Sequence, residues 1–157
     1  MTPQPATANI VETTRGAVPM RVLIRKPRPS DQGYVASTWI QSLCKADASA
    51  REGIVGLLID SVLDHPNVSC LLACNPDEPR AIYGWLVWSP MRAIRLIHFA
   101  YVRGALRDRG IAAALRTAAQ LDDNERPLVY TMRGPAHKSL ARKYPHAIEQ
   151  PIGEFLE

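Results

Sequence analysis

The residues with the clearest chemical potential form a short basic segment, RDRGIA, at positions 107–112. It follows an apolar run over 94–102 and precedes a helical pattern, so we predict a strand that turns directly into a helix. The first amides of a helix lack intrahelical partners, and the helix dipole favours negative charge there. Gly110 and Ala112 are small enough to let a phosphate approach the backbone, and two arginines add positive charge. The segment therefore predicts an anion-binding turn.

The composition sets limits on what this anion site serves. The chain has 157 residues, 46% hydrophobic and 22% charged, which predicts one globular domain. A net charge of +4 permits an acidic or phosphorylated partner without requiring nucleic acid, and we expect none. No apolar run is long enough to span a membrane, and residues 1–20 lack the order of a secretory signal. We expect a flexible tail over 1–20, a domain over 21–157 and no membrane association.

The three cysteines, Cys44, Cys70 and Cys74, form no CxxC pair. Cys70 and Cys74 fall in an apolar run, where small core hydrophobes are expected. We therefore predict a reducing, cytoplasmic setting and no metal site.

Apolar runs and turn residues divide the domain into short elements. Ser30 is a predicted helix cap, and Ser49 to Glu52 forms a capping box for a second helix, with Ile54 on its predicted buried face. A third helix follows Gly110, and residues 135–143 form a short basic one. The predicted strands are 21–25, 68–74, 81–88, 94–102, 127–132 and 148–156. The predicted order is β-α-α-β-β-β-α-β-α-β, a single-domain mixed sheet flanked by helices.

This order and the motif resemble the GNAT superfamily of acyl-CoA-dependent N-acetyltransferases. The family pattern is matched by Val102 at the end of the fourth strand, then Arg107, Gly110 and Ala112. The resemblance covers roughly residues 21–157. The chain also resembles small GNAT-like proteins encoded by bacteriophages, which would place it in a host cytoplasm.

The resemblance implies acetyl-CoA as the acyl donor, with its pyrophosphate on the turn and its pantetheine arm along the preceding strand. The implied coenzyme-binding residues are Phe99, Ala100, Tyr101, Val102, Arg107, Asp108, Arg109, Gly110, Ile111 and Ala112. The sequence departs from the family twice. Asp108 stands where a glycine is frequent, and Ala141 stands where the family often has a tyrosine acid.

Direct transfer to an amine needs orientation, a base for the amine proton and an acid for the thiolate. His98 shares a strand face with Val102 and is the candidate base, itself or through a water; the alternative is a core histidine. Tyr144 and His137 are candidate acids, each with a packing alternative.

We therefore predict acetyl transfer to a primary amine of a small molecule or protein, with the oligomeric state, including a homodimer, left open. Two alternatives stand beside this prediction. A GNAT-like fold without activity would act as a protein-binding or inhibitory module, since a fold does not fix a function. The second alternative is that the segment from residue 107 is one helix of a helix-turn-helix motif, with its arginines on DNA phosphates. The sequence predicts no second short helix joined to it by a tight turn.

Overall fold

The computed structural model describes residues 8–13, 18–46, 52–132, 144–152 and 156. Within them the strands are β1 (Asn9–Glu12), β2 (Arg21–Arg25), β3 (Ser69–Cys74), β4 (Ile82–Ser89), β5 (Arg95–Val102), β6 (Leu128–Tyr130) and β7 (Ile148–Glu149). The helices are α1 (Gln32–Ala46), α2 (Glu52–Leu63) and α3 (Ile111–Ala118). The seven strands form one sheet in chain order. Pairing of β2 with β1 and β3 is antiparallel, whereas pairing of β6 with β5 and β7 is parallel. The predicted mixed sheet flanked by helices is confirmed.

The chain packs as two compact units, and β4 and β5 each contribute to both. The first unit contains Met1–Pro29, Cys70–Leu86 and Ala100–Asp122. Its core combines the buried side chains of β2, β3 and β4 with Ile111 and Leu115, which lie one helical turn apart on α3. Cys74 is fully buried there, as predicted for a small core hydrophobe, and Cys70 is half-buried.

The second unit contains Ser30–Ser69, Val87–Phe99 and Asp123–Glu157. The helices α1 and α2 pack against each other within it. Trp39 of α1 is fully buried and stacks on Phe99 of β5, with ring centroids 5.6 Å apart. Trp39 is therefore a core residue, and its stacking joins α1 to β5.

Four details differ from the sequence predictions. Within the expected tail, Asn9–Glu12 forms β1, because antiparallel pairing with β2 satisfies its backbone groups. The last strand ends at Glu149 instead of residue 156, and Ile152 and Leu156 are helical. Helix α1 is preceded by a 3-10 turn, Pro29–Asp31, so Ser30 lies inside that turn. Ile54, predicted on the buried face of α2, is 64% exposed.

Two predicted elements cannot be compared with the structure. Ser49 of the capping box and the short basic helix over 135–143 lie outside the described residues.

Candidate functional site

The predicted anion-binding turn, residues 107–112, lies entirely within the first unit. Strand β5 ends at Val102, a 3-10 turn follows at Gly104–Leu106, and α3 begins at Ile111. Gly110 is the N-cap residue in the left-handed conformation, with φ 83°, and it has no side chain that could cap the first amides. The first hydrogen bond of the helix joins the Ala114 amide to the Gly110 carbonyl at 3.0 Å. The amides of residues 111–113 therefore precede the helical hydrogen-bond ladder and are oriented as donors for a ligand.

Asp108 also adopts a left-handed backbone conformation, with φ 63°. This conformation explains why the GNAT pattern often has glycine here, since glycine reaches positive φ without steric cost. Aspartate is among the residues that tolerate this region best, so the turn keeps its shape without the glycine. The departure that the sequence showed at Asp108 is therefore accommodated by the backbone, although the position adds a carboxylate beside an anion site.

Two arginines border the turn. Both Arg107 and Arg109 are exposed. The Arg107 Nε donates a hydrogen bond to the carbonyl of Val102 at 3.3 Å, which ties the side chain to the end of β5. Since a guanidinium has five N–H donors, this bond leaves Arg107 able to donate to a phosphate as well.

The end of β5 lies unusually close to β4. A Cβ added at Gly84 would lie 2.5 Å from the carbonyl oxygen of Tyr101, which no side chain permits. The Arg103 amide donates to the Tyr83 carbonyl at 2.9 Å, and the Trp85 and Tyr101 rings stack at 5.8 Å. Gly84 was not singled out from the sequence, although a glycine inside an apolar strand signals close backbone approach.

Strand β5 extends beyond its pairing with β6. The register of β5 with β6 ends with Ile97 opposite Tyr130, and the Thr131 amide then donates to the Ile97 carbonyl at 3.1 Å. Strand β5 nevertheless continues to Val102. Ala100 is exposed and Tyr101 and Val102 are half-buried, while the Phe99 side chain is in the core, so Phe99 offers a ligand its backbone only.

His98 lies in the second unit and is fully buried, with 0% exposure. Its Nε2 is 2.8 Å from the Ser89 hydroxyl and its Nδ1 is 2.8 Å from the Thr131 hydroxyl. Burial, with a smaller contribution from His65, lowers the pKa of His98 to about 4. The ring is therefore neutral near pH 7, so one nitrogen donates to a hydroxyl and the other accepts from one. The assignment of His98 as the base stays a prediction.

Tyr144, the candidate acid, is half-buried in the second unit. The Arg95 guanidinium lies over its ring, 5.8 Å from the centroid. Asp123 binds Arg126 at 2.7 Å and lies 3.6 Å from Arg95. The hydrogen bond from the Arg126 side chain is the main reason that the pKa of Asp123 is lowered. Tyr144 thus packs beside a charged cluster, and its role as an acid stays a prediction.

The structure brings the predicted residues 100–102 and 107–112 together in the first unit and places His98, Phe99 and Tyr144 in the second. His137 and Ala141 lie outside the described residues. Across the part of the chain that is described, no three His, Cys, Asp or Glu side chains converge as metal ligands. No helix in those same ranges combines the length and apolarity needed to cross a membrane.

Comparison with known proteins locates the fold. No family model and no curated protein matches the sequence. Among solved structures, a protein described as a probable acetyltransferase aligns with a TM-score of 0.51 and 12% identity over 85% of this chain and 84% of its own. An integron cassette protein from V. cholerae aligns with a TM-score of 0.50 and 17% identity, covering 80% of this chain and 83% of its own. A ribosomal-protein-alanine N-acetyltransferase from Brucella melitensis aligns with a TM-score of 0.49 and 20% identity, covering 78% of this chain and 89% of its own.

The chain therefore shares the fold of the probable acetyltransferase and of the integron cassette protein. Identities this low establish the architecture and leave the chemistry to the residues of this chain.

Proposed function

We propose that this protein binds acetyl-CoA and transfers its acetyl group directly to a primary amine. The single observation that carries the proposal is the turn at 107–112, where Gly110 in a left-handed conformation begins a helix with unpaired amides. These donors and the exposed Arg107 and Arg109 suit a pyrophosphate, which needs several N–H groups and positive charge.

The end of β5 suits the remainder of the coenzyme. A pantetheine arm carries amides that can pair with an extended backbone, and β5 continues to Val102 after its register with β6 has ended. We assign this pairing to Phe99, Ala100, Tyr101 and Val102. A backbone amide of the same strand would then stabilise the charge that develops on the thioester carbonyl.

The transfer needs little further chemistry from the protein. The amine nitrogen attacks the carbonyl carbon, a C–N bond forms, and the C–S bond breaks with its electron pair leaving on sulfur. The amine proton passes to a water near His98, because the enclosed ring itself has no exposed atom to offer an amine. Tyr144 is the proposed donor of the proton that the thiolate takes up. The acceptor is a primary amine of a small molecule or protein.

We also propose that the protein acts in the cytoplasm. Acetyl-CoA is an intracellular substrate, and cysteines that form no disulfide suit a reducing compartment. Neither the phage resemblance nor a homodimer is supported by any feature described above, and both stay predictions.

The test is calorimetric titration of acetyl-CoA into the wild-type protein and into Gly110→Trp. The substitution forces a bulky side chain into a left-handed position at the phosphate turn, and we expect at least a hundredfold weaker binding. Gly33→Trp is the matched control, because a Cβ at Gly33 meets no atom within 4 Å. Absence of binding to the wild type at high micromolar coenzyme would refute the proposal.

A second measurement separates transfer from binding. Release of the coenzyme thiol is followed across a panel of amines, and we expect release with at least one of them. Coenzyme binding without release would favour the inactive binding module. A DNA mobility shift lost in Arg107→Ala, with no coenzyme binding, would favour the helix-turn-helix alternative.

A further inference from the structure

The buried link between Ser89, His98 and Thr131 joins three neighbouring strands of the second unit. Ser89 is the last residue of β4, His98 lies within β5, and Thr131 directly follows β6. All three are buried, and both hydrogen bonds of the ring measure 2.8 Å. Each ring nitrogen is occupied, so the imidazole functions as a cross-link between strands.

The position of this link in the sheet is specific. The Thr131 amide makes the bond to Ile97 that follows the register of β5 with β6, and the Thr131 hydroxyl then binds His98. The next residue, Phe99, is held by its stack on Trp39. Successive side chains of a strand point to opposite faces, so β5 is fastened on one face by His98 and on the other by Phe99.

We propose that His98 is a positioning residue. With Ser89 and Thr131 it holds the strands where the β5–β6 register ends, and it thereby fixes the β5 backbone at Phe99, the first residue assigned to pairing with the coenzyme. The coenzyme half of this inference rests on the proposed function. Contacts on both faces of the strand at two consecutive residues limit rotation of β5 about its axis at His98 and Phe99.

The test compares Thr131→Val, which removes the hydroxyl at nearly constant shape, with Thr131→Ser, which retains it. Amide hydrogen exchange by NMR, without coenzyme, reports on the strand junction directly. We expect exchange of the amide at position 131 to accelerate about fivefold to tenfold in Thr131→Val, the factor corresponding to one net hydrogen bond. Thr131→Ser should retain the wild-type rate. Ser89→Ala should act like Thr131→Val, from the other side of the ring.

A matched control is Ser42→Ala. Ser42 is also buried in the second unit, but its hydroxyl donates to the Thr38 carbonyl within α1 at 2.8 Å. It should leave exchange at position 131 unchanged. Unchanged exchange in both Thr131→Val and Ser89→Ala would overturn the proposal.

Steady-state kinetics then distinguish positioning from proton transfer. A positioning role predicts a KM for acetyl-CoA raised several-fold in Thr131→Val, with kcat changed less than twofold and the pH profile retained. A fall in kcat at constant KM, with loss of the acidic limb of the profile, would instead make His98 the base. If the wild type binds no acetyl-CoA, the proposed function fails and the coenzyme half of this inference fails with it. The exchange experiment still decides whether His98 holds the strand junction.

Discussion

The turn at 107–112 and the cluster around His98 are opposite kinds of polar site. In the turn, donors face outward, the arginines are exposed and the backbone supplies the chemistry. In the cluster, every polar atom of the ring is enclosed and already bonded. Unpaired outward donors are what a ligand site needs, whereas satisfied buried groups hold a structure in place. The difference teaches that the exposed turn has donors suited to a ligand, whereas the hydrogen bonds of the His98 ring are made within the protein.

The largest expected effect concerns the enclosed histidine. Its pKa is about 4 when folded and 6.5 when unfolded, so between these pH values the unfolded chain binds more protons and stability falls as pH falls. This contribution is fully present above pH 6.5 and is lost on acidification to about pH 4, a change of about 3 kcal/mol. The measurement is urea unfolding of the wild type and His98→Gln across this range, taking their difference. A difference independent of pH would show that His98 protonates freely and is not enclosed.

Gly84→Ala should give the next largest effect. The new Cβ would collide with the Tyr101 carbonyl at 2.5 Å, so the end of β5 must move. We expect a loss of about 2 kcal/mol in unfolding free energy and weaker coenzyme binding. Gly33→Ala is the control, because its Cβ meets open space within α1 and should stabilise the helix slightly. Wild-type stability in Gly84→Ala would mean that the close approach of β4 and β5 is not rigid.

Arg107→Ala probes the charge of the turn. Loss of one charge-assisted hydrogen bond to phosphate should weaken acetyl-CoA binding about tenfold and reduce its salt dependence. Arg92→Ala removes an exposed arginine of the second unit and serves as the control for net charge. Equal losses in the two variants would indicate general attraction to a basic surface, without a specific contact at the turn.

The smallest effect is expected at Asp108. Asp108→Gly relieves a left-handed non-glycine residue and removes a carboxylate beside the phosphates. Calorimetry should show coenzyme binding tightened by about twofold to fivefold, with stability changed by less than about 1 kcal/mol. Asp108→Asn separates the two causes, because asparagine removes the charge and also tolerates the left-handed region. Weaker binding in both variants would mean that the carboxylate assists the site.

The architecture was largely predictable because local sequence patterns indicate most of its elements. Apolar runs bounded by turn residues located the strands from β2 to β6 to within a few residues, and helical spacing located α1 and α3. The N-terminal strand β1 was missed because its stability comes from pairing with β2, and a segment of four residues does not by itself indicate such a partner. The exposure of Ile54 was missed for a similar reason. Apolar residues at helical spacing indicate a face that can be buried, but they do not show which other element packs against it.

The sequence by itself determined the turn at 107–112: a strand, two arginines, a glycine and a helix in immediate succession need only local conformation. Tertiary structure alone decided the burial and hydrogen bonds of His98 and the constraint at Gly84. The partners of His98 lie 9 and 33 positions away in the chain. Gly84 likewise meets Tyr101 from a different strand. Such contacts depend on strand register and on the distance between strands, and these are set by how the whole sheet packs.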